Sequence, residues 1–296
     1  MRILLYLSFL GDIALASEIL FVPINSKVKQ VTLEQYFLFK QLSKFQAIAY
    51  CAPYITPKFQ CASYCSDYKN VSLVKTFQTD LNTDIAGYLA RDDNDKRLLL
   101  VFRGSYSVVD VIDDLRLASQ PYAVFGCSNC AIHDGFYAGF LAVKDLINDI
   151  LLESIHQFPH YDVWVLGHSL GAAVAGLYAV DLKSEAGIQI KVVTFGGPRI
   201  GNQAFAKFMN DLFLNDYLRI THLHDQVPRL PPSLLGYSHQ SSEYYQSTWK
   251  WNREDMIICN ESEDKCKPEY PGLISDMLTA HLYYFMSFGH CLLPIQ

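Results

Sequence analysis

Apolar positions along this chain recur with two different periods. From 32 to 50, Leu33, Tyr36, Phe37, Phe39, Leu42, Phe45 and Ile48 fall at helical spacing, which predicts an amphipathic helix. A cysteine-containing loop over 51–70 follows. Short apolar runs at 84–90 and 98–102 then read as strands, separated by the turn Asp92-Asp93-Asn94-Asp95. Helical pattern returns over 136–152 and again over 203–212. Buried strands are expected at 161–166, 190–195 and 218–222. Strand and helix alternate, so the expected class is α/β with a mostly parallel sheet. There are no repeats, low-complexity tracts or linkers to divide it.

Between the strand at 161–166 and the small-residue helix at 172–180 stands Gly167-His168-Ser169-Leu170-Gly171. The pattern G-x-S-x-G mounts a serine on a sharp strand-to-helix turn. The two glycines have a physical reason, because a Cβ at either would crowd strand against helix. A serine hydroxyl is a weak nucleophile and needs a base, an orienting acid and an oxyanion hole. The backbone N–H of Leu170, just after the nucleophile, is one expected oxyanion donor. Acid and base should follow in that order. Asp225 is the best acid, since it lies just past the strand at 218–222 and ahead of Pro228, Pro231 and Pro232. Downstream histidines are His239, His281 and His290. The aromatic surroundings of 278–285 rank His281 first and leave His239 in play.

Composition narrows the setting. The 296 residues are 50% hydrophobic and carry a net charge of −6, enough for one large core and without a basic patch for nucleic acid. The same balance disfavours electrostatic capture by anionic lipid. Cys127 and Cys130 have zinc-ligand spacing, but a second knuckle is lacking, and disulfides in an oxidising compartment explain all eight cysteines better. Residues 3–10 and Ala14-Leu15-Ala16 resemble a signal peptide, although Asp12 is unusual there. The expected division is a signal at 1–16, a short leader at 17–30 and one domain over 31–296. No stretch reaches transmembrane length. Asn70-Val71-Ser72 and Asn260-Glu261-Ser262 are glycosylation sequons, so Asn70 and Asn260 are candidate acceptors in a secreted chain.

Several motifs together resemble one family. They are 101–105 (V-F-R-G-S), 133–136 (H-D-G-F), the Ser169 pentapeptide, 194–202 (T-F-G-G-P-R-I-G-N), the Asp225 loop and 280–285 (A-H-L-Y-Y-F). Over roughly 35–293 the chain resembles the extracellular class 3 lipases of filamentous fungi and yeasts. The resemblance implies an α/β-hydrolase fold with flanking helices and a helical lid. It implies Ser169, Asp225 and His281 as the triad, and matches His239 to a recurring histidine that is not the base. It implies Ser105 as the second oxyanion donor, and no cofactor or metal. It pairs Cys51 with Cys291, Cys61 with Cys65, Cys127 with Cys130 and Cys259 with Cys266. The longest loop should stabilise most, on the order of 4–5 kcal/mol in the chain-entropy account.

The segment after Ser105 bears on substrate. Val108, Val111, Ile112 and Leu115 fall on one helical face, with Val109 beside them, and Asp110, Asp113 and Asp114 fall largely elsewhere. In the resembled family this stretch is the lid. The expected activity is hydrolysis of acylglycerol esters at a lipid–water interface by a secreted triacylglycerol lipase. Rivals are a mono- and diacylglycerol lipase, a feruloyl-type esterase with a more polar flap, and an inactive binding protein on a hydrolase scaffold.

Overall fold

The computed structural model describes residues 29–80, 83–105, 118–259, 274–289 and 291. The signal segment, the lid positions Val108, Val109, Val111, Ile112 and Leu115, and also Asn260, Cys266 and His290, lie outside the described residues.

The described chain opens with β1 (Lys29–Gln30), α1 (Leu33–Ile48) and two 3-10 turns (Ala49–Tyr54, Tyr64–Asp67). Three strands follow: β2 (Val71–Gln78), β3 (Ala86–Asp92) and β4 (Arg97–Phe102). The hairpin β5 (Ser119–Pro121) and β6 (Ala131–His133) leads into α2 (Asp134–Gln157), β7 (Asp162–His168), α3 (Leu170–Ser184) and β8 (Ile190–Phe195). Then come β9 (Gly201–Asn202), α4 (Gln203–Phe213), β10 (Tyr217–His222), β11 (Tyr237–Ser238), β12 (Glu243–Gln246) and β13 (Met256–Cys259). Helix α5 (Ile274–His281) and the hairpin β14 (Tyr283–Tyr284) and β15 (Met286–Ser287) are the last elements described.

The main sheet has nine strands in the order β1-β13-β12-β10-β8-β7-β4-β3-β2. Its centre, β4 to β12 through β7, β8 and β10, is parallel. Both flanks are antiparallel. The sheet is therefore mixed, with its parallel part where the site lies. A four-stranded sheet, β11-β9-β6-β5, stands beside it.

Helices cover both faces, which is why the central strands read as unbroken apolar runs. Leu100 and Phe102 of β4 join Val163 and Val165 of β7 in a core with Phe136, Val174 and Met209 from α2, α3 and α4. Leu99, Val101, Trp164 and Leu166 point the other way, onto Phe39, Leu42 and Phe45 of α1 and Phe288 beyond β15. α1 starts with a full capping box, Thr32 accepting from Gln35 N–H while the Gln35 side chain accepts from Thr32 N–H. Lys29 and Gln30, assigned to the leader by sequence, pair with Ile258 and Ile257, so the folded unit begins before residue 31. The helix expected over 136–152 is longer at both ends; its start is set by His133, which caps it by accepting from Phe136 N–H.

Candidate active site

β7 ends in the pentapeptide and α3 begins at Leu170. Ser169 sits between them at φ 56° and ψ −129°. A positive φ in a residue with a side chain costs of order 1–3 kcal/mol and persists only where the surroundings impose it. Here they do: a Cβ on Gly167 would run into the Gly171 carbonyl, and one on Gly171 into the Arg103 carbonyl. Ser169 N–H donates to Phe195 O at 3.1 Å, tying the turn to the end of β8. The side chain thus stands at the N-terminus of α3, the positive end of the helix dipole.

Asp225 follows β10 and is fully buried. Its Oδ2 accepts from His281 Nδ1–H at 2.9 Å and from the Tyr284 hydroxyl at 2.5 Å. Its Oδ1 accepts from Val227 N–H at 2.9 Å. Burial alone would push this carboxyl up. The His281 charge and the hydrogen bonds from His281, Tyr284 and Val227 outweigh it and hold the pKa below the usual carboxylate value. Burial, reinforced by the Asp225 charge, pushes the Tyr284 hydroxyl well above its ordinary value, so it remains a donor.

Bonding Nδ1–H to Asp225 leaves His281 Nε2 as the free lone pair. Nε2 of His281 and Oγ of Ser169 are both buried and both lack a hydrogen-bond partner. Asp225 and His281 are thus paired, and Ser169 follows His168, whose ring lies against that of His281; the base nitrogen and the serine hydroxyl are each unengaged. His239 is elsewhere employed: its Nε2–H donates to the Pro228 carbonyl at 2.5 Å, steadying the loop behind Asp225.

Three imidazoles that sequence reading passed over hold the His281 helix in place. His168 donates from Nε2 to the His281 carbonyl at 2.9 Å and accepts at Nδ1 from the Tyr50 hydroxyl at 2.5 Å. Its ring lies 4.5 Å from that of His281, centroid to centroid. His222 donates from Nδ1 to the Ala280 carbonyl at 3.0 Å, and His224 from Nε2 to the Asp276 carbonyl at 3.1 Å. The carbonyls of Ala280 and His281 end α5 and have no further turn to bond them. Burial lowers the pKa of His168 and of His222, and the neighbouring His281 adds to the effect at His168. His168 is thus a neutral ring with one donor and one acceptor, whereas His222 meets a carbonyl oxygen at each nitrogen, Ala280 O at Nδ1 and Thr248 O, 3.3 Å away, at Nε2. The Cys51–Cys291 disulfide joins the residue after Tyr50 to the far C-terminal segment, fixing both sides of this contact. The only sequence signal was His168's position beside the nucleophile.

Leu170 N–H, the first of α3, has no partner within its helix. Ser105 is buried two residues beyond Arg103, and a Cβ on the intervening Gly104 would lie 2.8 Å from Ser169 Cβ. Arg103 fixes this approach: its guanidinium donates to the Gly104 carbonyl at 2.7 Å and pairs with Asp84 at 2.7 Å. Leu170 thus adjoins Ser169 in the chain, and the backbone at Gly104, next to Ser105, comes close to the Ser169 side chain. The disulfides Cys61–Cys65 and Cys127–Cys130 are formed as expected, and Cys259 is disulfide-bonded. Asn70 is exposed at the turn before β2.

Comparison with known proteins gives concordant matches. The family model described as Lipase (class 3) matches residues 99–235. A secreted mono- and diacylglycerol lipase A of Penicillium cyclopium is 39% identical over 209 residues, covering 69% of this chain and 67% of that protein. A secreted mono- and diacylglycerol lipase 2 of Gibberella zeae is 30% identical over 82% of this chain and 71% of its own length. The crystal structure of Lip2 lipase from Yarrowia lipolytica superposes with a TM-score of 0.81 at 30% identity, covering 90% of this chain and 98% of that one.

Proposed function

Because the chain belongs to the class 3 lipase family, we propose that it is a secreted triacylglycerol lipase that works through an acyl-enzyme at lipid–water interfaces. Family membership makes it a lipase, a carboxylic ester hydrolase; the preference for triacylglycerols is our reading. The observation that carries the mechanism is the buried Asp225–His281 pair beside Ser169, with Nε2 and Oγ unengaged.

In this reading Ser169 Oγ attacks the ester carbonyl while His281 Nε2 takes its proton. The tetrahedral intermediate collapses, the C–O bond to the alcohol breaks, and the proton on Nε2 goes to that oxygen. Water then adds to the acyl-serine, giving a proton to Nε2, which returns it to Oγ as the fatty acid leaves. Asp225 keeps the proton on Nδ1 and stabilises the imidazolium between steps. Leu170 N–H and Ser105, through its N–H and hydroxyl, bind the oxyanion. Ser105→Ala removes only the hydroxyl and is expected to lower kcat about 100-fold, the lower end for loss of one oxyanion donor. Melting temperature should stay unchanged. Unchanged turnover in that variant removes Ser105 from the site.

Ser169 and His281 are buried, so substrate entry needs a displacement. The apolar positions Val108, Val109, Val111, Ile112 and Leu115 support a lid that hides an apolar cleft in water and turns that face to oil. Those positions also weigh against the feruloyl-type reading. The proposed division is a signal over 1–16, a short leader over 17–30, whose Lys29 and Gln30 already pair with β13, and one hydrolase unit from 31 onward. Disulfides fit an oxidising, extracellular setting. A second reading, a mono- and diacylglycerol lipase, draws support from the Penicillium and Gibberella relatives.

One hydrolysis panel separates these readings. Tri-, di- and monoacylglycerols and a feruloyl ester are assayed below and above their solubility limits. The triacylglycerol reading expects a jump in rate once the triglyceride forms an emulsion. Turnover confined to partial glycerides transfers the assignment to the second reading. An active-site-directed phosphonate should label Ser169; an unlabelled serine would mark an inactive scaffold.

A further inference from the structure

Among the described residues the two most exposed large apolar side chains are Leu234, 95% exposed, and Phe125, 93% exposed. Leu235 beside the first is half exposed. Single exposed leucines are ordinary on soluble proteins, so exposure alone carries nothing. Three further observations make these different.

The first is placement. Pro121 pairs with Ala131, Ile132 with Gly201 and Tyr237 with Asn202. The β5–β6 tip carrying Phe125 and the turn entering β11 with Leu234 and Leu235 therefore leave the small sheet at the same end. That sheet grows from the carboxyl end of β8, the edge of the main sheet where Ser169 and Asp225 stand.

The second is charge. Residues 118–133 and 230–242 contain no Asp, Glu, Lys or Arg, in a chain where 18% of residues are charged. The third is rigidity. Asn202 clamps the Phe125 tip, donating from Nδ2 to the Asn129 carbonyl at 2.8 Å and accepting from Ala131 N–H at 3.2 Å. Tyr122 N–H donates to the Cys130 carbonyl at 2.8 Å, and the Cys127–Cys130 disulfide closes the tip. In the other turn Leu235 N–H donates to Pro232 O at 3.0 Å and Gly236 N–H to Ser233 O at 2.9 Å. Side chains held on such tips can enter an apolar phase with little ordering cost.

We propose that Phe125 and Leu234–Leu235 form a fixed apolar anchor that adsorbs the protein to an uncharged lipid surface, separately from segment 106–117. The inference builds on the lipase reading and names the surface that would present the substrate. Segments without charge favour a neutral or zwitterionic surface over an anionic one, and the net charge of −6 points the same way.

The test measures two quantities. Co-flotation with a triolein emulsion and with phosphatidylcholine vesicles, at low and high salt, reads adsorption. Hydrolysis of a water-soluble short-chain ester reads the site. Phe125→Ser and Leu234→Ser should each lower the partition coefficient about tenfold or more. Soluble-ester turnover should not change, and adsorption should not fall with salt. Phe125→Leu and Leu234→Met should keep most of the adsorption. The proposal is overturned if the serine variants adsorb like the parent, or if the apolar variants fail as badly as the serine ones. Adsorption that needs anionic lipid and vanishes at high salt overturns it too. If the parent protein hydrolyses no ester, the lipase reading fails, and the adsorption measurements still decide the anchor.

Discussion

Ser169→Ala and His281→Ala are each expected to lower kcat by about six orders of magnitude, and the double variant to fall no further. Groups that act as one unit show this non-additivity, because removing either leaves the other without a task. The structure supplies the reason to expect it. Ser169 Oγ and His281 Nε2 are both buried and both without a hydrogen-bond partner. A buried donor and a buried acceptor left unengaged cost free energy, which a shared role in proton transfer would offset. Apo sites often hold such pairs loosely, and substrate draws them together. The measurement is single-turnover acylation on a water-soluble ester, which bypasses adsorption. A double variant much slower than either single would show two independent contributions and break the pairing. A mild effect in His281→Ala would hand the role of base to another group. His239→Ala is the informative control, because its expected effect runs through the Pro228 carbonyl and the loop behind Asp225.

The parts of this site that were legible in sequence are those whose geometry is local. The elbow is set by five consecutive residues and two flanking elements, so its strand, strained serine and helix could all be anticipated. Asp225 was legible because a strand end is a local mark. His281 was less so, since its claim rests on meeting Asp225 across 56 positions of sequence. Local pattern ranked it only modestly above His239, and the family resemblance decided. The small sheet escaped altogether. Its strands have two or three residues, too few for a period of two to register. β12, Glu-Tyr-Tyr-Gln, is buried at every position and alternates nothing. The imidazoles of His168, His222 and His224 escaped for another reason. Their acceptors are backbone carbonyls of α5, which carry no sequence identity. The Tyr284 hydroxyl on Asp225 is similarly invisible, because nothing in local pattern tells which acceptor a buried tyrosine will reach.

Asp225→Asn should lower kcat by about four orders of magnitude while leaving the protein folded at neutral pH. The carboxylate receives three donors: His281 Nδ1–H and the Tyr284 hydroxyl on Oδ2, and Val227 N–H on Oδ1. An amide offers one acceptor oxygen. With that oxygen toward His281 and Tyr284, its NH2 confronts Val227 N–H, donor against donor. Flipped to satisfy Val227, the NH2 faces His281 and favours the tautomer with the proton on Nε2, which cannot accept one from Ser169. The variant is therefore expected to lose kcat through the wrong tautomer, with little change in KM. The stability effect carries its own pH signature. The folded protein holds Asp225 below the usual carboxylate pKa, so its ionised form stabilises the fold above the unfolded value, about 3.9, and that contribution drains away as pH falls toward the folded value. The stability gap between parent and Asp225→Asn should be widest near neutrality and narrow below about pH 4. Chemical denaturation across that range measures it, and a gap that widens with acid would contradict the assigned bonding at Asp225.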